Sequence, residues 1–203
     1  MEKDCCILFQ EMQTAMNIVY DPEYKGQKKK GGLDDIIVID DFFDENMQGA
    51  FQDSLEQTVK WELCQTSNRP EEFDQELFWF ANMSQDHADL IITNFFEKTK
   101  MSQSIVYTRR YLNGQTSGQT AYSHADEGYS LIYYPGRGKW NINWSGELIF
   151  YGDVDGRLDC TRAFIPSPNR AVFFPASILH KIIAPSRLMK SIRVSCAVKI
   201  AEI

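Results

Sequence analysis

A mainly β fold, an antiparallel two-sheet jelly-roll barrel with two helices ahead of it, is what this sequence predicts. Three observations lead there. From Ser104 onward, apolar or alternating segments follow one another quickly with no long helical pattern between them, which disfavours a parallel α/β sheet. Before Ser104, two stretches carry apolar residues at helical spacing. The chain has 203 residues, 43% hydrophobic and 13% aromatic, which suits one domain with a substantial core. No internal repeat interrupts it.

The elements follow in order. Glu2 to Tyr20 places Ile7, Leu8, Met12, Ala15, Met16 and Val19 at amphipathic helical spacing. Lys25 to Gly32, KGQKKKGG, is a basic glycine-rich linker without core residues. Residues 1–32 are therefore expected to be a helix plus linker, and 33–203 the folded domain. Ile36 to Ile39 read as a short buried strand. Asp44 then offers an N-cap for a helix to about Trp61, with Met47, Phe51, Leu55 and Val59 on one face. A second helix is predicted over Gln85 to Lys98, burying Leu90, Ile91, Phe95 and Phe96, with His87 at its start as a surface or capping residue. The predicted strands are Ser104–Leu112, Ser130–Tyr134, Glu147–Tyr151, Ala171–Phe174, His180–Ile183 and Ser191–Ile203.

The last strand alternates. Ile192, Val194, Cys196, Val198 and Ile200 form one face against Ser191, Arg193, Ser195, Ala197 and Lys199, the period of a half-buried strand. Arg193 and Ser195 stand side by side on the second face. A guanidinium fork with a neighbouring hydroxyl is a good carboxylate receptor. The alternative is a surface arginine at a strand edge.

His124, Asp126 and His180 use two of the three histidines. Residues two apart on an extended strand point the same way, so His124 and Asp126 can hold one ion, with His180 arriving from elsewhere. Two imidazoles and a carboxylate on one face of a metal leave adjacent positions open, as in non-haem Fe(II) oxygenases. The alternative for each is an ordinary polar residue near a turn.

Ordered pieces surround these residues: Tyr111-Leu112-Asn113-Gly114, His124-Ala125-Asp126, Ile132-Tyr133-Tyr134, Ser145-Gly146-Glu147-Leu148, Phe174-Pro175-Ala176 before His180, and Arg193-Val194-Ser195. With them the chain, over roughly residues 35 to 203, resembles the Fe(II)/2-oxoglutarate-dependent dioxygenases, most closely their prolyl 4-hydroxylase-like branch. The resemblance implies a double-stranded β-helix, a cupin-like jelly roll, with two helices covering one face. It implies Fe(II) bound by His124, Asp126 and His180, and 2-oxoglutarate held through its far carboxylate by Arg193, helped by Tyr134 and Ser195, with Tyr111 close by. O2 is the second co-substrate, and ascorbate a candidate reductant. The reaction implied is hydroxylation of an unactivated C–H bond with release of succinate and CO2, on a peptidyl residue such as proline. Two departures, Pro135-Gly136-Arg137-Gly138-Lys139-Trp140 after the tyrosine pair and Ser145 in place of a glycine, fall near the expected mouth of the site. Substrate identity stays open there.

Other classes are weaker. A net charge of −7 disfavours non-specific attachment to nucleic acid or anionic membrane. Gly136-x-Gly138 is not a dinucleotide fingerprint, and no phosphate-binding P-loop motif is present. Five cysteines, Cys5, Cys6, Cys64, Cys160 and Cys196, form no C-x-x-C pair, which with no apolar segment of signal or membrane length suggests the cytoplasm. A zinc hydrolase accepts the same ligands but leaves Arg193, Ser195 and Tyr134 unused. A hydroxylase of a small metabolite or nucleobase, and a metal or 2-oxoglutarate sensor without turnover, are the remaining alternatives. Loops Asn113 to Thr120 and Pro135 to Trp144 are expected to flank the mouth, the second offering Arg137, Lys139, Trp140 and Trp144.

Overall fold

Apolar runs such as Leu131-Ile132-Tyr133-Tyr134 and Ala171-Val172-Phe173-Phe174 need cover on both faces, and the structure supplies it. The computed structural model describes residues 16–24, 31–65, 77–101 and 104–203. Among these the strands are β1 (Asn17–Tyr20), β2 (Ile37–Ile39), β3 (Glu62–Gln65), β4 (Phe78–Asn82), β5 (Ser104–Gln115), β6 (Tyr129–Tyr134), β7 (Leu148–Val154), β8 (Arg157–Phe164), β9 (Arg170–Pro175), β10 (His180–Ile182) and β11 (Arg193–Glu202). The α-helices are α1 (Glu45–Thr58) and α2 (Gln85–Thr99).

A large sheet runs β2-β9-β6-β11-β5-β4-β3, with β1 added parallel to β5, and a small sheet runs β10-β7-β8. All pairings except β1 with β5 are antiparallel. The expected two-sheet jelly roll with covering helices is the fold observed.

Period two sorts each central strand between two cores. Leu131, Tyr133, Phe173, Cys196 and Val198 face the helices and pack with Phe51, Leu55, Ile92 and Phe95. Ile132, Tyr134, Val172 and Phe174 face inward and meet Leu148, Phe150, Ile178 and Ile182. Strand β11 is therefore covered on both faces, not half-buried as its alternation suggested: Arg193 and Ser195 are as buried as Cys196 and Val198.

Asp44 caps the first helix as its sequence predicts, and Ser84 caps the second. Asp44 accepts a hydrogen bond from the Met47 amide at 2.9 Å, and Ser84 accepts one from the His87 amide at 3.2 Å. His87 is a correction, because it is buried rather than exposed. Its ring nitrogens lie 2.7 Å from Ser84 Oγ and 3.0 Å from Ser54 Oγ, so it ties α2 to α1.

Most of the predicted N-terminal helix and of the basic linker lies outside the described residues. The last four residues assigned to that helix, Asn17 to Tyr20, form β1 instead. Pairing with the edge of β5 satisfies their backbone and overrides the helical spacing.

One glycine fixes how β6 meets β11. Gly128 has φ +68°, and a Cβ there would overlap the Ile200 carbonyl oxygen. Gly128→Ala is expected to cost about 2–4 kcal/mol, left-handed strain plus the clash, measured as a lower urea midpoint. Gly118→Ala, with φ +92° but open space around it, should lose only the strain component.

Candidate active site

The segment before β6 and the start of β10 bring the predicted metal residues together. His124 and His180 form an isolated antiparallel bridge, with His124 N–H donating to His180 O at 2.9 Å and His180 N–H to His124 O at 3.0 Å. Their rings are 4.4 Å apart between centroids. Asp126 is anchored by its own amide, which donates to Ala176 O at 2.8 Å. Its Oδ2 lies 3.8 Å from His124 Nε2.

Ligand atoms of His124, Asp126 and His180 all fall within 4.8 Å of one another, the one group among the described residues with that arrangement. Nδ1 of His124 contacts Tyr122 O at 2.9 Å, and Nδ1 of His180 contacts Ile178 O at 2.7 Å. A backbone carbonyl requires a donor, so each Nδ1 carries the proton and each Nε2 keeps its lone pair for a metal. Burial, followed by the nearby Lys199 ammonium, lowers the His180 pKa to about 3. The ring is thus neutral at physiological pH. Burial alone would raise the Asp126 carboxyl, but the Lys199 ammonium outweighs it by charge and hydrogen bond and holds the pKa below the usual carboxylate value.

These three residues open into a cavity of about 110 Å³. Its large-sheet wall carries one face of β5 and β11. Arg109, Tyr111, Asn113 and Gln115 of β5 stand opposite Lys199, Ala197, Ser195 and Arg193 of β11 in register. Tyr111 and Ser195 line the cavity, as does Gln115. Tyr111 also stacks on Phe80 at 6.0 Å between centroids.

Arg193 and Tyr134 lie just behind this lining, 0% and 1% exposed. The guanidinium carbon sits 5.2 Å from the Tyr134 ring centroid. Arg193 Nη1 donates to Gln115 Oε1 at 2.8 Å. Arg193 Nε and Nη2 and the Tyr134 hydroxyl are buried with no hydrogen bond of good geometry, the hydroxyl lying beside the guanidinium without completing one. Buried polar atoms are rarely left so, and a guanidinium more rarely still. Burial depresses the Arg193 pKa, an effect that the neighbouring Tyr134 and Glu147 oppose. A ligand with a pair of anionic oxygens would satisfy all three orphaned atoms.

Two expectations need revision. Asn113 and Gln115 from the first predicted mouth loop do line the cavity, but they belong to β5, which extends past Leu112. Arg137, Lys139, Trp140 and Trp144 do not line it. They border a second cavity of about 520 Å³ with Leu55, Val59 and Val194. Val194 and Ser195 point to opposite faces of β11, so this second space belongs to the helix side of the large sheet.

Sequence reading overlooked Lys199 and Gln115. Lys199 donates to Asp126 Oδ2 at 2.6 Å and to Ser130 Oγ at 2.8 Å. The signal was the strand period itself, which puts Lys199 on the Arg193 face.

No protein-family model and no curated protein matches the chain. Solved structures do. A prolyl hydroxylase from Trichoplax adhaerens, in complex with a hypoxia inducible factor oxygen degradation domain peptide fragment, aligns with TM-score 0.61 and 12% identity over 84% of each chain. An oxidoreductase of the 2OG-Fe(II) oxygenase family from Burkholderia pseudomallei aligns with TM-score 0.58 and 12% identity, over 93% of this chain and 96% of that one. The fold is that of the 2OG-Fe(II) oxygenases. A Pseudomonas putida prolyl-4-hydroxylase shares this oxygenase fold with TM-score 0.55 and 13% identity, over 83% of this chain and 93% of its own. Within the oxygenase fold, the His-Asp-His group lines the cavity, and Arg193 lies buried behind its Gln115 wall. Among the described residues no helix is long and apolar enough to cross a membrane.

Proposed function

We propose that this chain is an Fe(II)- and 2-oxoglutarate-dependent dioxygenase that hydroxylates an unactivated C–H bond of a peptidyl residue such as proline. The observation that carries this reading is a three-donor metal cradle on a cavity whose Gln115 wall is backed by a buried arginine with Nε and Nη2 unpartnered. A zinc hydrolase needs the cradle but not the arginine.

In this reading His124, Asp126 and His180 hold the iron, and Arg193, Tyr134 and Ser195 hold the far carboxylate of 2-oxoglutarate, with Tyr111 beside it. Iron, 2-oxoglutarate and O2 together supply the oxidising chemistry, with succinate and CO2 released. The chain supplies orientation and exclusion of water. The two carbonyl-held imidazoles keep Nε2 aimed, and Phe78, Ile132 and Ile182 give the cavity apolar walls. Ascorbate would serve as reductant for iron oxidised in unproductive cycles. The peptide assignment is supported by two of the fold relatives being prolyl hydroxylases, one in complex with a peptide. A reducing cytoplasm belongs to the same reading, supported by the free, exposed thiols of Cys64 and Cys160.

The test is anaerobic visible absorption as Fe(II) and then 2-oxoglutarate are added, followed by succinate assay in air. A charge-transfer band that requires both additions, with succinate formed, is expected. A proline-peptide library should then yield products heavier by one oxygen. Metal binding without the band would turn the reading to a zinc enzyme or a sensor. A band with no oxidised peptide would leave the oxygenase and remove the peptide.

Tyr134→Phe keeps the ring against Arg193 and removes only the hydroxyl. Because a hydrogen bond to a charged group is worth about 1.5–3 kcal/mol, 2-oxoglutarate affinity should fall about 10- to 100-fold, read by titration of the band.

A further inference from the structure

Two cations stand at the metal end of the cavity, and the proposed co-substrates leave them without a counter-charge. Lys199 and Arg109 are register partners on β11 and β5, and both line the cavity. Side chains so placed have Cβ atoms about 4.5–5.5 Å apart, and like charges directly opposite are destabilising. The arrangement therefore calls for an anion.

The anion nearest Lys199 is Asp126. Its Oδ2, the oxygen nearest His124 Nε2, is 2.6 Å from Lys199 Nζ. No other acidic residue lines the cavity among the described residues. Arg109 is exposed, and its guanidinium carbon lies 5.2 Å from the Tyr111 ring centroid. When a divalent metal takes Asp126, the carboxylate is shared and Lys199 loses much of its compensation. The two charges of 2-oxoglutarate match those of the metal, and Glu147 acts on Arg193. Lys199 and Arg109 are left with Asp126 alone, which the metal shares. In a chain of net charge −7, a cation pair at one mouth is a local feature rather than a basic surface.

We infer that the substrate presents a carboxylate beside the carbon to be oxidised, received by Arg109 and Lys199. Phe80 lines the same cavity and stacks on Tyr111, the ring that Arg109 covers, and gives the attached carbon skeleton an apolar seat. This rests on the dioxygenase reading above, and it goes further by naming the chemistry of the substrate. The carboxylate belongs either to a free acid or to an acidic residue next to the oxidised one in a peptide.

The experiment uses the full chain loaded with Ni(II) and 2-oxoglutarate, which binds without turnover, and isothermal titration with two matched pairs of probes. One pair is N-acetylproline and N-acetylprolinamide. The other is a proline peptide with glutamate, or with glutamine, beside the proline. At least one acidic probe is expected to bind tenfold or more tightly than its neutral partner, and the pair that discriminates identifies the source of the carboxylate. Arg109→Gln should reduce that ratio below threefold while Ni(II) and 2-oxoglutarate still bind, and Arg109→Lys should restore part of it. Equal binding within both pairs, no binding of any of the four probes, or a ratio unchanged in Arg109→Gln would overturn the inference and leave the dioxygenase reading standing. A protein that fails to bind Ni(II) or 2-oxoglutarate at all would instead overturn that reading, and this inference with it.

Discussion

Arg193→Met is expected to leave metal binding intact, remove most of the affinity for 2-oxoglutarate, and leave the ligand-free protein at least as stable as the wild type. The first two effects follow from the role proposed for the side chain. Truncating one partner of a buried, hydrogen-bonded charge pair costs about 2–5 kcal/mol, so affinity should drop roughly 30-fold to several thousand-fold. The third effect is the more diagnostic. A structural arginine would be saturated with partners, whereas this one is 0% exposed with only Nη1 engaged, on Gln115. Without ligand it is a buried cation whose desolvation is poorly repaid, and an apolar side chain of similar length removes that penalty. The Gln115 carbonyl oxygen left behind costs about 1–3 kcal/mol, which offsets part of the gain. Thermal unfolding with and without 2-oxoglutarate separates the outcomes. Wild type should be stabilised by the ligand and Arg193→Met should not. A ligand-free variant that unfolds well below wild type would make Arg193 a strut of the barrel and overturn its assignment to the co-substrate.

The parts of this architecture legible in the sequence are those where one residue type has one physical use. His124, Asp126 and His180 could be read because few other tasks require that set, and the structure does bring them together. Asp44 marks a helix start because its side chain can accept from a backbone amide. Strands β6 and β9 announced themselves as apolar runs.

Less legible elements depend on neighbours that sequence does not name. Strand β8, RLDCTRAF, lies at the edge of the small sheet and is largely exposed, so it shows no apolar alternation. Its one local signal is Asp155-Gly156, both with positive φ, the dipeptide of a tight hairpin. Strand β4 is short and lies between β5 and β3, where its aromatic residues resemble loop anchors. Loop Pro135–Trp144 was expected at the mouth because it follows a strand of the barrel. Which face of a sheet a loop folds over is decided by where α1 packs, and that is a tertiary matter. Lys199 was placed on the correct face of β11, but its partner Asp126 lies 73 residues earlier, and the register that brings Arg109 opposite exists only in the folded sheet.

His124→Ala is expected to abolish metal binding at ordinary concentrations while the protein stays folded. His124 suits this test better than His180, which is 3% exposed and packs against Phe174 and Phe150. The bridge between the two histidines is made by main-chain atoms in both directions, so alanine preserves it. What disappears is one of three ligands. Loss of an outer-shell partner typically costs 10- to 100-fold in metal affinity, so loss of a direct ligand should exceed about 100-fold. In wild type, metal at 100 times its dissociation constant adds about 2.7 kcal/mol of stability, and that increment should vanish in the variant. In the proposed complex 2-oxoglutarate is held at one end by the metal and at the other by Arg193. His124→Ala should therefore lose both metal and 2-oxoglutarate, whereas Arg193→Met loses only 2-oxoglutarate. If His124→Ala bound 2-oxoglutarate as tightly as wild type, the anion site would be independent of the metal, and the dioxygenase reading, which joins the two, would fall.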